Sequence, residues 1–234
     1  MHIGVPREIK PLEGRVGLIP AACSGLVSAG HAVYIESGAG AQSGYSDEAY
    51  RAAGAQITAN AAELYEQGQL IVKVKEPLEG DLRYLRSDHI LFSYLHLAAN
   101  AALTRKLCSI GLTALAFETV QLASGELPLL APMSDIAGRL SVHLGAHLLH
   151  QPQGGKGLLL GGLAGAERGR VTVIGGGTAG GSAVRVSAAL GAGVTVFDRQ
   201  RSKLEAMRLL GDNVTAVYPY PESNEQAVLE ADLE

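Results

Sequence analysis

Short apolar runs alternate with amphipathic stretches along the whole chain. Apolar runs bounded by glycine, proline or polar residues predict buried strands, and apolar residues spaced three and four apart predict helices. The predicted strands are His2–Val5, His31–Glu36, Leu70–Val74, Ile90–Tyr94, Leu112–Phe117, Val171–Ile174, Val194–Phe197 and Val214–Val217. The predicted helices are Pro20–Gly30, Asp47–Ala53, Ala61–Glu66, Ala99–Cys108, Met133–His150, Thr178–Leu190, Ser202–Leu210 and Glu222–Glu230. Strands that alternate with helices in this way predict an α/β fold.

The alternation suggests two domains. We expect an N-terminal α/β domain over residues 1–128 and a Rossmann-type dinucleotide-binding domain over residues 129–234. A Rossmann sheet has six strands, and the second domain shows three predicted strands before the sequence stops. We therefore expect this second domain to be incomplete.

The stretch from 171 to 198 carries the most specific motif. Gly175, Gly177 and Gly180 fill the pattern G-x-G-x-x-G between a predicted strand and a predicted helix. The first glycine allows the tight turn, the second lets the backbone approach a pyrophosphate, and the third lets helix and strand pack closely. Asp198, at the end of the next strand, stands where a carboxylate accepts the ribose 2′-OH and repels a 2′-phosphate. The stretch therefore predicts dinucleotide binding and favours NAD over NADP, although Arg199 lies beside the acid.

Composition narrows the class of partner. The chain has 234 residues, 19 basic and 23 acidic, and a formal charge of −4, without a basic stripe for nucleic acid. Its N-terminus carries charges where a signal peptide is apolar, and no apolar run is long enough for a membrane span. Cys23 and Cys108 are isolated, which is typical of a reducing compartment. We expect a cytoplasmic protein that binds small molecules, with neither a nucleic-acid nor a membrane partner.

Three residues of the first domain are candidates for chemistry. Lys75 and His96 follow predicted strands, at the sheet edge where α/β proteins bind ligands, and Arg15 lies in the turn after the first strand. Taken singly, Arg15 fits an ordinary solvated cation, Lys75 a lysine that protects an edge strand, and His96 a structural histidine. Together they supply a guanidinium for a carboxylate, an ammonium for a carbonyl and an imidazole for proton transfer.

Two further patterns carry no site. His143, His147 and His150 share a helix face, but no Glu follows the first as in H-E-x-x-H and no carboxylates complete a set of ligands. We therefore predict no metal. Gly155-Lys156 is followed by Gly157 rather than Ser or Thr, so it does not form a phosphate loop.

Five segments in series resemble the L-alanine dehydrogenase family: MHIGVPREIKPLEGRVGLIP, IVKVKEPL, LFSYLHLAAN, PLLAPMSDIAGRLSVHLGAHLL and VIGGGTAGGSAV. The resemblance implies an NAD-dependent enzyme that interconverts L-alanine with pyruvate and ammonium. It implies that Arg15 and Lys75 bind pyruvate and that His96 is the catalytic acid/base. It also implies cofactor contacts from Ser134, Thr178, Ala179, Asp198 and Lys203, beside the three glycines. Family members are typically hexamers of identical subunits.

The chain also departs from the family. In the family the sequence continues past this point and supplies a second catalytic residue, an aspartate, so we expect a chain shortened at its C-terminus. Two alternatives follow: a catalytically incomplete NAD-binding fragment, or the NAD-binding component of a proton-translocating transhydrogenase. Saccharopine-forming enzymes share the architecture more distantly.

Overall fold

The computed structural model describes residues 1–218 and residue 231. The chain forms two compact units, one over Met1–Leu129 and one from Leu130 onward. Each unit contains parallel strands with helices between them, so the predicted α/β class is confirmed.

The N-terminal unit is built on a six-stranded sheet in the order β3-β2-β1-β4-β5-β6. All of its strand pairs are parallel. The strands are β1 His2–Val5, β2 Ala32–Glu36, β3 Gln56–Thr58, β4 Leu70–Val72, β5 Ile90–Ser93 and β6 Thr113–Ala116. Because the strands are parallel, their carboxyl ends meet at one edge, where Lys75 and His96 follow β4 and β5.

Helices connect these strands. They are α1 Pro20–Ser28, α2 Asp47–Ala52, α3 Ala61–Gln67, α4 Glu79–Leu82 and α5 Ala101–Ile110. Ser46, Asn60 and Asn100 cap the starts of α2, α3 and α5, and each side chain accepts a backbone N–H from the first turn. Such caps satisfy donors that a helix start leaves unpaired.

The N-terminal sheet is covered by apolar residues on both faces. Ile3 and Val5 belong to one core cluster, and Ile71 and Leu91 belong to another. Gly4 lies between Ile3 and Val5, and a Cβ there would meet Leu64 and Ile71 of the second cluster. Since neighbouring residues of a strand face opposite sides, the clusters lie on opposite faces, as expected of a parallel sheet.

Most predicted elements of this unit are confirmed to within about two residues. The short β3 and α4 were missed by the sequence interpretation. The alternative of an edge strand protected by lysines at Lys75 is wrong, because β4 pairs with β1 on one side and β5 on the other.

The described part of the C-terminal unit contains a parallel sheet in the order β7-β8-β9. Its strands are β7 Arg170–Ile174, β8 Gly193–Phe197 and β9 Val214–Val217, and its helices are α6 Ala131–Leu148, α7 Thr178–Ala189 and α8 Arg201–Arg208. The predicted helix over Glu222–Glu230 lies outside the described residues. Across the described ranges, no helix is both long and apolar enough to cross a membrane.

Helices α6 and α7 approach each other very closely. A Cβ added at Gly138 of α6 would lie 2.0 Å from the carbonyl oxygen of Ala179 in α7. Beside this contact, the Ser182 hydroxyl donates a hydrogen bond to the Asp135 carboxylate. Only glycine at position 138 permits this separation, so the contact fixes α6 against the start of α7.

Candidate functional site

Arg15 lies in the loop between β1 and α1, where Glu13 orients its guanidinium. Nε and Nη2 of Arg15 lie 2.8 and 2.7 Å from the two carboxylate oxygens of Glu13. These hydrogen bonds lower the pKa of the Glu13 carboxyl, and the charge of Lys75 lowers it further. The arginine side chain stays about half exposed, at 47%. The Glu13 carboxylate therefore interacts with the positive charges of both Arg15 and Lys75.

The segment that carries Lys75 is held by a buried carboxylate. Oε1 of Glu8 accepts the backbone N–H of Val74 at 2.7 Å. Burial raises the pKa of the Glu8 carboxyl, although the charge of Lys73 and the N–H groups of Val74 and Lys75 act in the opposite direction. Glu8 thus fixes the backbone immediately before and at Lys75.

A buried ion cluster lies beneath this segment. The fully buried Nζ of Lys73 lies 3.4 Å from Oε2 of Glu8 and 3.3 Å from Oδ1 of Asp81. The hydroxyl of Tyr65 donates to the same Asp81 oxygen at 3.0 Å. The sequence interpretation noted Lys73 only as an interruption of a strand. A lysine directly after a central parallel strand, in a sheet that is buried on both faces, was the signal that a buried partner had to exist.

His96 directly follows β5 in an unusual backbone conformation. Its φ of 50° is left-handed, and its side chain is exposed. Its ring is stacked on that of Tyr94, with centroids 6.2 Å apart and planes 12° apart. Burial raises the pKa of Tyr94, and the charge of Arg15 lowers it, so Arg15 acts on the same tyrosine. Tyr94 therefore lies between the imidazole of His96 and the charge of Arg15.

Within the N-terminal unit, Glu13 therefore connects Arg15 with the charge of Lys75, and Tyr94 connects Arg15 with the ring of His96. Guanidinium and ammonium groups can pair with a carboxylate, and an imidazole is a common proton-transfer group in enzymes. Sequence reasoning missed the groups that contact these residues, namely Glu8, Glu13 and Tyr94. Glu8 contacts Val74 across loops that are distant in sequence, whereas Glu13 and Tyr94 lie two positions from Arg15 and His96 but no recognised motif assigns them a role.

In the C-terminal unit, each motif glycine has its own geometric reason. Gly175 has φ +102°, a conformation that side chains rarely adopt. Gly177 precedes α7, and a Cβ there would meet nothing within 4 Å, so the turn is open on this side. A Cβ at Gly180 would lie 1.8 Å from the carbonyl oxygen of Gly175. The geometry fits a dinucleotide, because the open turn leaves the N–H groups at the start of α7 accessible to an anion.

Asp198 lies at the end of β8, beside this turn. Its Oδ2 accepts the N–H of Gly176 at 2.8 Å, and its Oδ1 accepts the N–H of Gln200 at 2.7 Å. These bonds lower the pKa of the Asp198 carboxyl, that from Gln200 most strongly, so the group is an anion at neutral pH. Nζ of Lys203 lies 4.0 Å from Oδ2. A cavity of about 410 Å³ opens here and is lined by Gly175, Phe197, Asp198, Arg199 and Lys203, among others.

The remaining predicted cofactor residues lie where α6 and α7 meet. Thr178 and Ala179 form the first turn of α7, and Ser134 lies in the first turn of α6. Ser134 is one helical turn before Gly138, whose Cα approaches Ala179. Ser134, Thr178 and Ala179 therefore lie around the contact between α6 and α7, next to the glycine turn.

Comparisons with known proteins agree over the whole chain. Residues 4–137 match the protein family described as "Alanine dehydrogenase/PNT, N-terminal domain", and residues 141–233 match "Alanine dehydrogenase/PNT, C-terminal domain". The chain is 47% identical to an alanine dehydrogenase from Geobacillus stearothermophilus and 45% identical to one from Bacillus subtilis. Each match covers 100% of the chain, which spans 63% and 61% of the length of these curated relatives.

Solved structures give the same result. An L-alanine dehydrogenase structure superposes with a TM-score of 0.91 at 47% identity, over 100% of this chain and 65% of that one. A transhydrogenase from Sinorhizobium meliloti superposes with a TM-score of 0.79 at 25% identity, over 93% of this chain and 64% of that one. From the two matching family regions and this likeness, the chain belongs to the alanine dehydrogenase/PNT family.

Proposed function

We propose that this protein takes part in the NAD-dependent, reversible oxidative deamination of L-alanine. In this reaction L-alanine, NAD⁺ and water give pyruvate, ammonium, NADH and a proton. The observation that supports the proposal is that Glu13 interacts with the charges of Arg15 and Lys75, while Tyr94 stacks on His96 and interacts with the charge of Arg15. Family membership and the similarity to proteins named alanine dehydrogenase support it.

In this proposal the N-terminal unit, corresponding to residues 1–128, holds the substrate. Arg15 and Lys75 bind the carboxylate that alanine and pyruvate share, and Glu13 keeps the guanidinium in its orientation. With the carboxylate held there, His96 acts on the nitrogen or oxygen that C2 carries, the amine of alanine or the oxygen of pyruvate. It accepts a proton during oxidation of the amine and returns it during reduction.

The C-terminal region, residues 129–234, holds NAD in this proposal. Bound there, NAD would supply the acceptor for the hydride that leaves the alanine Cα. Gly175, Gly177 and Gly180 leave room for the pyrophosphate at the start of α7, and Asp198 accepts the ribose hydroxyl. The remaining contacts come from Ser134, Thr178, Ala179 and Lys203. Because Asp198 is an anion, the pocket disfavours the 2′-phosphate of NADP.

An assay of alanine-dependent NADH formation by the full chain tests the proposal. We expect the absorbance of NADH to rise with alanine, and His96→Ala to lower the rate by about 10²- to 10⁴-fold, the usual contribution of a general acid/base. Glu48→Ala, an exposed change on α2, serves as the control and leaves the rate unchanged. Binding of NADH without turnover would instead support a protein that binds the cofactor without catalysis.

A second candidate is the NAD-binding component of a transhydrogenase, which the similarity to the Sinorhizobium meliloti protein supports. Hydride exchange between two nucleotides needs no pair of cations for a small carboxylate. Arg15→Met therefore separates the two functions. It should weaken pyruvate binding in an alanine dehydrogenase and leave hydride exchange between nucleotides unchanged in a transhydrogenase.

We also propose that the protein works as a homo-oligomer, a hexamer as in the family, in the cytoplasm. Four apolar side chains of α6 are exposed at intervals of four residues, which aligns them on one helix face: Ile136, Leu140, Leu144 and Leu148. An apolar row of this kind is typical of a surface that becomes covered on assembly. Both cysteines are free, as expected in a reducing compartment. Light scattering on the purified chain measures the number of copies.

A further inference from the structure

We propose that Glu118 is the positioning residue for His96, and this rests on the proton transfer assigned to His96 in the proposed function. Glu118 follows β6, in a single turn over Phe117–Thr119. Neither the motif that carries His96 nor the residues around it in sequence contain this glutamate. The two are 22 positions apart and meet only because β5 and β6 are neighbours in the sheet.

The Glu118 carboxylate binds the backbone on which the imidazole stands. Its Oε1 accepts the N–H of His96 at 2.6 Å. The N–H of Leu95 lies 3.2 and 3.3 Å from its two oxygens. The pairing of β5 with β6 ends at Ser93 and Ala116, just before these groups. Beyond the end of the β5–β6 pairing, the Glu118 side chain thus accepts the backbone N–H groups of Leu95 and His96 in place of a neighbouring strand.

The backbone at His96 needs such an anchor. With φ 50° and ψ 37° it is left-handed, a conformation that costs energy for any residue with a Cβ. A strained conformation persists only when surrounding contacts hold it, and hydrogen bonds to a charged acceptor are stronger than those to a neutral one. Loss of the carboxylate lets the turn relax towards an ordinary conformation.

The ring position depends on this turn. The imidazole is exposed, and its ring contact is the near-parallel stack on Tyr94, at 6.2 Å. Tyr94 is itself fixed, because its hydroxyl donates to the carbonyl oxygen of Leu129 and its ring packs edge-on against Phe117. A relaxed turn at His96 therefore carries the imidazole off a fixed tyrosine, while the two cations stay in place.

Two measurements on the full chain test the proposal. The first is hydrogen exchange at the amides of Leu95 and His96, followed by NMR. The second is steady-state kinetics of pyruvate reduction. Each is made for the wild type, Glu118→Ala, the isosteric Glu118→Gln, and Glu48→Ala as a matched surface control.

We expect Glu118→Ala to speed exchange at both amides by at least about tenfold and to lower kcat by at least about tenfold. The KM for pyruvate should stay within about threefold, because Arg15 and Lys75 are unaffected. Glu118→Gln keeps one neutral acceptor and should lie between the wild type and Glu118→Ala in both measurements. Glu48→Ala should match the wild type.

Unchanged exchange or unchanged kcat in Glu118→Ala and Glu118→Gln would overturn the proposal, as would a kcat loss matched by an equal rise in KM. A purely structural role would lower the melting temperature of Glu118→Gln and leave its kcat unchanged. If the wild type does not reduce pyruvate, the proposed function fails. In that case, faster exchange in Glu118→Ala still supports the anchoring of His96, and unchanged exchange overturns it.

Discussion

Gly180→Ala is the change whose effect follows most directly from the coordinates. The added Cβ would lie 1.8 Å from the carbonyl oxygen of Gly175, and real Cβ atoms do not come closer than about 3.0 Å to such a neighbour. The start of α7 must therefore move by about 1.2 Å, which is the difference between these distances. Neither backbone segment is flexible in the way a side-chain end is, so the whole turn is displaced.

Overpacking of this kind typically costs about 1–3 kcal/mol. Gly25→Ala is a matched control, because it adds the same methyl group to a helix where nothing lies within 4 Å. This control should stabilise by about 0.5–1 kcal/mol, since alanine favours a helix over glycine. Urea denaturation followed by circular dichroism measures both free energies of unfolding.

Binding of NADH adds a second comparison. At Gly177 an added Cβ meets no neighbour, so Gly177→Ala should leave the free energy of unfolding unchanged. The same methyl group blocks the approach of the pyrophosphate and should weaken NADH binding by at least about tenfold, or about 1.4 kcal/mol. Gly180→Ala should lose both stability and binding. A Gly180→Ala protein as stable as the wild type would refute the close contact on which this reasoning rests.

Three further predictions concern the buried groups and the cofactor acid. Burial and the charge of Arg86 lower the pKa of His89 in the folded protein. As the pH falls, the His89 imidazole is therefore protonated in the unfolded chain before it is protonated in the folded one. The free energy of unfolding should then fall as the pH drops below about 6.5 and level off below the folded pKa, and His89→Asn should remove this slope in pH-dependent denaturation. Lys73→Met leaves two buried carboxylates without their cation and should destabilise by about 3–5 kcal/mol in urea denaturation. Asp198→Asn should weaken NADH and strengthen NADPH in calorimetric titrations, by about tenfold each.

A different result would contradict each of these three predictions. A pH slope that persists in His89→Asn would assign it to other groups. A Lys73→Met protein of wild-type stability would show that the carboxylates become neutral without cost. Equal discrimination between NADH and NADPH in Asp198→Asn and the wild type would remove the acid from cofactor selection.

The parts of the fold that sequence predicted are those with strong local signals. Strands β1 and β9 and the start of α7 were placed correctly. Pro6 ends the first strand, Asn213 precedes β9, and the glycines of the motif precede α7. The three-residue β3 was missed because Gln56–Thr58 is too short to show a period. The short α4 was missed for the same reason.

The residues of the candidate site also fall into those that a local motif predicts and those that only the fold brings into contact. Gly175, Gly177, Gly180 and Asp198 form a local motif, so their arrangement could be predicted from spacing. The contacts of Glu8 with Val74 and of Glu118 with His96 join loops that only the strand order brings together. No local pattern encodes that order, so these carboxylates could not be assigned from one sequence.

The central claim is that a small carboxylate binds among Arg15, Lys75 and His96 and that NAD binds at the glycine turn. Titration of the isotopically labelled full chain with pyruvate, and separately with NADH, tests it by chemical-shift changes of backbone amides. We predict that pyruvate shifts the amides near Arg15, Lys75 and His96, and that NADH shifts those from 175 to 180 and at Asp198. Pyruvate shifts confined to other residues, or NADH shifts that spare the glycine turn, would contradict the account.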